Sequence, residues 1–320
     1  MQQILLVTVP FFALVLCGWV VARTRLLPLE AIPGLNAFVL FFALPCLLYR
    51  FAATTPIVRL LDPTVSTVYL LCALLLVALT VITTRRGAVG WNDASFGALV
   101  AAFPNSGFMG VPLLVALLGQ RAAGPAIVAL AIDLIVTSSL CIALSRLDGA
   151  NEHGMSRAVG NALKGMLKNP LPWSILLGCL TTATGFELWE PVRNTIGMLA
   201  DGASPVALFT IGAVLARPQK AAAALGGFGS LGDVPLVVFY KLVLHPALVL
   251  GIGKLAQAMG VPLDSFSLTV LVLVAALPSA SSIPMLAERF GADAGRIARI
   301  VLFATAASFV SFSAAVALLV

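Results

Sequence analysis

Phe103-Pro104-Asn105-Ser106-Gly107-Phe108-Met109-Gly110-Val111-Pro112 is the stretch on which the reading of this chain turns. It lies within a long apolar run, near Ala94 to Leu118, and sets two prolines there among glycine and serine. A proline removes a helical hydrogen bond and clashes with the turn before it, so an unbroken helix is not expected. A second stretch, Leu277-Pro278-Ser279-Ala280-Ser281-Ser282-Ile283-Pro284, repeats the arrangement inside the apolar run Phe266 to Ala287. Each run should be two half-helices joined by unwound backbone.

The surroundings of both stretches are those of a membrane protein. The 320 residues are 60% hydrophobic and 10% charged, with a mean hydropathy of +1.07, outside the range of soluble domains. At about 20 residues per crossing, the length holds about ten spans and leaves little for an extramembrane domain. Outward from the two breaks, the remaining runs lie near Ile4 to Val21, Leu35 to Tyr49, Thr64 to Ile82 and Ala126 to Ser145. After them come Leu171 to Phe186, Thr195 to Ala216, Val234 to Leu255 and Ile297 to Leu319.

Lys and Arg punctuate the apolar runs instead of clustering with exposed aromatics, so the net charge of +6 indicates contact with the lipid bilayer and no nucleic acid. Cys17, Cys46, Cys72, Cys141 and Cys179 lie inside apolar runs without paired spacing. They read as small buried hydrophobes, with no metal or disulfide expected. The first run differs from a signal peptide because Arg23 and Arg25 follow it instead of preceding it. It reads as a retained span with its N-terminus outside. On that threading thirteen Lys and Arg fall in inner loops and five outside, with Lys241 inside a span. Cytoplasmic loops carry such an excess, which supports ten spans with both termini outside, periplasmic in a bacterial inner (plasma) membrane.

The polar connection 148–169 divides the chain into a first five-helix repeat, 1–147, and a second, 170–320. An odd number of spans makes the second group enter from the opposite side, the condition for an inverted repeat. Ala43-Leu44-Pro45 in span two parallels Ala203-Ser204-Pro205 in span seven. The expected fold is thus an all-α membrane protein of ten transmembrane helices in two inverted five-helix repeats, with broken, crossed helices four and nine.

Unwound backbone at membrane depth survives only where protein buries it or water reaches it. A half-helix that starts at the midplane offers free N–H groups and about half a positive charge, suited to a carboxylate. The candidate substrate-binding residues are therefore Asn105, Ser106, Gly107, Ser279, Ala280, Ser281 and Ser282, with Pro104, Pro112, Pro278 and Pro284 shaping the crossover. Pro10, Pro45 and Pro246 read as ordinary kinks.

Together, Phe103 to Leu114, Leu167-Lys168-Asn169-Pro170, Lys241-Leu242 with His245-Pro246, and Pro278 to Arg289 resemble the auxin efflux carrier family, in the bacterial branch of malonate and related dicarboxylate carriers. The resemblance covers essentially the whole chain. It implies a scaffold of spans one, two, six and seven that supports a moving domain of the other spans, and elevator-type alternating access. It also implies that Asn105 contacts the substrate at the first crossover. Family members often carry Asn near Ser281 or Ser282, where this chain has Ser.

Asp133 lies about eight residues into span five, roughly 12 Å deep, where an exposed carboxylate costs about 2.5 to 3.5 kcal/mol. It reads as a proton or cation coupling site with Thr137 and Ser138 one turn on, or as a structural partner of Lys241. Lys241 could attract an anionic substrate, neutralise Asp133 or snorkel. His245 could relay protons or simply pack between helices, and Asp201 and Glu288 sit near span ends. No enzyme is expected: the two histidines lie far apart, and Leu231-Gly232-Asp233 lacks the partners of an intramembrane aspartyl site. The expected function is secondary transport of a small organic anion coupled to H+ or Na+, without cofactor, and the alternative is an anion channel or uncoupled facilitator. A homodimer through the scaffold helices is the expected assembly.

Overall fold

The computed structural model describes residues 2–56, 62–85, 89–147, 170–216 and 232–320. The connection 148–169, with His153, Arg157, Lys164, Lys168 and the start of the Leu167–Pro170 motif, lies outside the described residues, as do Arg59, Arg86, Arg217, Lys220 and Leu231. The described chain is helical throughout. In order, it forms α1 (Gln2–Arg23), α2 (Ala31–Thr54), α3 (Pro63–Thr84), α4 (Trp91–Ala102), α5 (Ser106–Leu118) and α6 (Gln120–Leu144). After the connection come α7 (Pro170–Thr184), α8 (Glu190–Leu215), α9 (Val234–Ala258), α10 (Ser265–Ala276), α11 (Ile283–Arg289) and α12 (Ala294–Leu319).

Among the described residues, six helices are long and apolar enough to cross a membrane: α2, α3, α6, α8, α9 and α12. The pairs α4/α5 and α10/α11 are short because the chain is interrupted in both proline-rich stretches. Large apolar side chains cover outward faces, among them Leu71, Leu75 and Ile82 on α3, Leu177 and Leu180 on α7, and Val310 and Leu318 on α12. Faces of that kind suit acyl chains, not water. The cysteines divide accordingly. Cys72 and Cys141 are buried as expected, but Cys17 is exposed and Cys46 and Cys179 are half-buried. In a lipid-facing helix both faces are apolar, so composition does not tell an inward cysteine from an outward one.

Three prolines share a local device. A wide, π-helical turn ends two residues before each of Pro45, Pro112 and Pro246, at Val39–Ala43, Ser106–Gly110 and Tyr240–Leu244. Leu44 and His245, which precede the first and last of these prolines, donate their N–H groups five residues back to the Val39 and Tyr240 carbonyls. The extra residue moves the carbonyl that a proline ring would otherwise strike. A fourth wide turn, Asp133–Thr137, has no proline. Here the Ser138 hydroxyl donates to the Asp133 carbonyl at 2.8 Å, beside the Ser138 N–H.

The contacts divide the chain into two compact units. The first comprises residues 1–62, 106–128 and 169–218, and the second residues 63–105, 129–168 and 219–320, so each draws on both halves of the sequence. In the first unit α1 packs along α8 and α2 along α7. Glycine makes both pairings close. A Cβ on Gly18 would lie 1.8 Å from the Phe209 carbonyl oxygen, and one on Gly212 would lie 1.8 Å from that of Val15. On α7, a Cβ on Gly178 would lie 2.7 Å from the Tyr49 carbonyl oxygen. Thr182 donates to the Ala53 carbonyl at 2.8 Å, and Tyr49 and Thr181 hydroxyls meet at 3.0 Å. Small residues and interhelical hydrogen bonds hold helices together in lipid, where apolar burial gives no preference for protein over solvent. Asp201 lies on α8 within this unit and pairs with Arg50 at 2.6 Å while remaining exposed. Replacing Gly212 with Ala forces backbone apart from backbone, and is expected to lower stability by about 1–3 kcal/mol. Thermal unfolding of the detergent-solubilised protein, compared with an outward-facing control such as Gly197→Ala, measures it; Gly197 has open space around its Cβ position.

In the second unit residues 94–102 of α4 and 270–276 of α10 are all buried. Side chains cap α10 and α12. The Asp264 side chain accepts the Ser267 N–H ahead of α10, and Asp293 accepts the Arg296 N–H ahead of α12, at 2.9 and 2.8 Å. Arg296 is itself buried, and its guanidinium is gripped by the Asp233 carboxylate and donates to the Asp93 carbonyl at 2.7 Å.

Candidate functional site

The two interruptions meet. Within the second unit the chain leaving α4 crosses the chain leaving α10, and Pro104 and Ser279 form an isolated antiparallel bridge. The Asn105 N–H donates to the Pro278 carbonyl at 2.8 Å, and the Ala280 N–H donates to the Phe103 carbonyl at 3.0 Å. Backbone polar groups so far from water must find partners. Here each unwound segment supplies them to the other.

The carbonyls that the breaks release are capped as well. Pro104 has no N–H for the Val100 carbonyl four residues back, and the Ser279 hydroxyl donates to that carbonyl at 2.8 Å. On the other side the Ser279 position leaves the helix, and the Ala275 carbonyl accepts from Lys241 Nζ at 3.1 Å. Lys241 is fully buried. A cation at a helix C-terminus also meets the negative end of the helix dipole. Pro104 and Pro278 are thus the breaking residues. Pro284 sits instead in the first turn of α11, where a missing N–H costs nothing, and Pro112 lies inside α5 behind the wide turn Ser106–Gly110.

The candidate binding residues are placed unequally. Asn105, Ser279 and Ala280 come together at the crossover and are buried, at 4%, 1% and 6% exposure. Ser281 is half-buried and Ser282 exposed, just beyond it. Ser106 and Gly107 are buried in the wide turn that opens α5, and belong to the first unit.

Asp133 and Lys241 are both fully buried in the second unit, and each has its own partners. The Tyr69 hydroxyl donates to Asp133 Oδ2 at 2.8 Å, and the Thr137 hydroxyl to Oδ1 at 3.1 Å. Lys241 Nζ lies 3.2 Å from His245 Nδ1, one helical turn on. The two charges interact electrostatically without a direct salt bridge between them among the described residues, so the pairing that the residue types leave open is a longer-range one. Hydroxyl and carbonyl partners compensate each burial locally, which a buried charge requires. With Lys241 as an ammonium, which only donates, Nδ1 accepts and the imidazole proton sits on Nε2. Among the described residues that Nε2 is buried without a hydrogen-bond partner, and the Tyr69 ring lies beside the imidazole at 6.1 Å.

Reading the sequence residue by residue passed over Tyr69, Val100 and Ala275. Tyr69 carried a signal, since a tyrosine in the middle of an apolar span needs a partner for its hydroxyl. Val100 and Ala275 act through backbone carbonyls, which no side-chain pattern marks.

The sequence model of the membrane transport protein family matches residues 4–316. A protein of Rhizobium meliloti (strain 1021), provisionally named a malonate transporter, is 28% identical over 311 residues, which cover 95% of this chain and 92% of that one. An uncharacterized transporter of Escherichia coli (strain K12) is 28% identical over 202 residues, 62% of this chain and 59% of its own. Auxin efflux carrier component 8 of Arabidopsis thaliana is 24% identical over 323 residues, 85% of each chain. These are transporters by name, not enzymes.

Proposed function

The chain belongs to the membrane transport protein family, which includes the auxin efflux carriers, and from that membership we propose a secondary active transporter of a small organic anion. The substrate class is a malonate-like dicarboxylate or another carboxylate, and the relative named for malonate transport supports that choice. The observation that carries the reading is the bridge between Pro104 and Ser279. It is a protein-buried meeting of two unwound segments at the middle of apolar runs, the arrangement from which carriers build binding sites. Asn105, Ser279, Ala280, Ser281 and Ser282, all in the second unit, are the proposed contacts at the crossover.

Six long helices, with α1, α7 and the interrupted pairs α4/α5 and α10/α11, would make ten crossings in two inverted five-helix repeats. The moving body would be the remaining spans, which hold the crossover, Asp133 and Lys241. The support would come from α1, α2, α7 and α8, all in the first unit. Elevator-type alternating access, a bacterial inner-membrane location with both termini periplasmic, and a homodimer through the supporting helices complete the proposal.

Counterflow tests it: purified protein in liposomes preloaded with malonate should accumulate labelled external malonate with saturable kinetics. Single-channel current steps in planar bilayers, without counterflow, would replace the carrier with a channel.

Asp133, with Thr137, is the proposed site of coupling to H+ or Na+, since it combines full burial with two hydroxyl donors next to a buried cation. Asp133→Asn keeps the shape and removes the charge that a proton or sodium ion would neutralise. Uptake by this variant should equilibrate without accumulating, and lose its dependence on imposed pH and sodium gradients. A dependence equal to that of the wild type for both gradients removes Asp133 from the coupling path.

A further inference from the structure

Beyond the crossover the second interrupted segment is a short helix that packs against α4 and α12. α11 has seven residues, about two turns, too short to persist on its own propensity. Its near end follows the crossover bonds at Pro278 and Ala280. Its far end closes on Gly291, at φ 73°. There the Gly291 N–H donates to the Glu288 carbonyl and the Ala292 N–H to that of Ala287, at 3.1 and 2.9 Å. This pair of bonds ends a helix on a left-handed glycine and fixes the direction of the residue just before it, Phe290.

Phe290 is where that end is fastened. Its ring lies 6.1 Å from the Phe96 ring on α4, and the Arg146 guanidinium, just past α6, stands 4.9 Å over its face. Its carbonyl accepts from Asn92 Nδ2 at 3.2 Å, one turn before Phe96 on α4. Three residues on, the Asp293 N–H donates to Asp93 Oδ1 at 2.7 Å, again on the first turn of α4. α4 also runs straight to the crossover, with Phe103 and Asn105 at its other end. The half-helix is therefore tied to one rigid strut at both ends.

We infer that Phe290 is a positioning residue: its ring, held between Phe96 and Arg146, keeps α11 against α4 and so sets the Ala280–Ser282 segment of the crossover. It touches no substrate and acts through α11. The consequence for transport rests on the proposed binding role of Ser281 and Ser282, whereas the fastening itself does not. Lifting of α11 can be read separately from transport, because Ile283, at its first turn, is 1% exposed.

The test uses the full chain carrying Ile283→Cys, treated with N-ethylmaleimide and analysed at that site by mass spectrometry, so that the native cysteines do not interfere. A buried thiol reacts only when the local structure opens, so its rate reports the opening equilibrium. Adding Phe290→Ala should raise that rate about ten-fold or more, and Phe290→Trp, which keeps an aromatic face for Arg146, should return it toward the reference. Arg146→Gln, a milder change that leaves the ring in place, should raise it by about three-fold. In chains without the reporter cysteine, Phe290→Ala should raise the KM for malonate about ten-fold with Vmax within about two-fold. Reporter rates unchanged in both Phe290→Ala and Arg146→Gln overturn the inference. Raised reporter rates with unchanged malonate KM uphold the fastening and instead remove Ser281 and Ser282 from the binding site.

Discussion

Replacing Lys241 with methionine is expected to abolish uptake and to destabilise the protein more than any other single change in the second unit. The substitution keeps the apolar stem and removes only the cation. It leaves the Ala275 carbonyl and His245 Nδ1, both partnered by Lys241 Nζ, without a donor in a buried place. Each unsatisfied group costs about 1–3 kcal/mol. It also leaves Asp133 without the buried positive charge that offsets it at longer range. Because Ala275 ends α10 at the crossover, the loss falls on the geometry of the proposed site as well as on stability. Thermal unfolding in detergent and malonate uptake in liposomes measure the two effects. Adding Asp133→Asn to Lys241→Met should recover a large part of the stability and little of the uptake, since the uncapped carbonyl remains. A Lys241→Met protein with wild-type uptake is incompatible with Lys241 supporting the crossover.

Asn105→Ala is expected to weaken malonate binding about 10- to 100-fold, the effect of losing a hydrogen bond to a charged group, while leaving the fold intact. The reason for that separation lies in the backbone. What Asn105 contributes to the crossing is its N–H to the Pro278 carbonyl, and alanine keeps that group. A ligand-induced rise in melting temperature, titrated with malonate, gives the affinity, and the unliganded melting temperature reports the fold. Wild-type affinity in the variant counts against the crossover as the binding site.

Much of this architecture can be read from residue order. The interruptions near Pro104 and Pro278 were legible because proline pairs in lipid-bound runs leave few alternatives. Asp133 and Lys241 stood out because charge at that depth is costly and therefore rare. The direction of lipid-facing residues was not legible: Cys17 is exposed and Cys72 buried in equally apolar helices, and nothing in periodicity separates them. Nor was the work of the second prolines, since Pro284 starts a helix and Pro112 is accommodated within one by a wide turn.

The order of residues by itself determined that the chain lives in lipid, that two of its apolar runs are interrupted, and which polar side chains lie deep within it. These follow from transfer energies and from proline's missing donor, both properties of single residues. Only the tertiary structure decided which backbone bonds close the expected crossing, that Lys241 caps Ala275 instead of touching Asp133, and that Phe290 ties α11 to α4. Those outcomes depend on which carbonyl or ring a side chain reaches, and carbonyls are identical at every position until folding brings one of them within hydrogen-bonding distance of a donor.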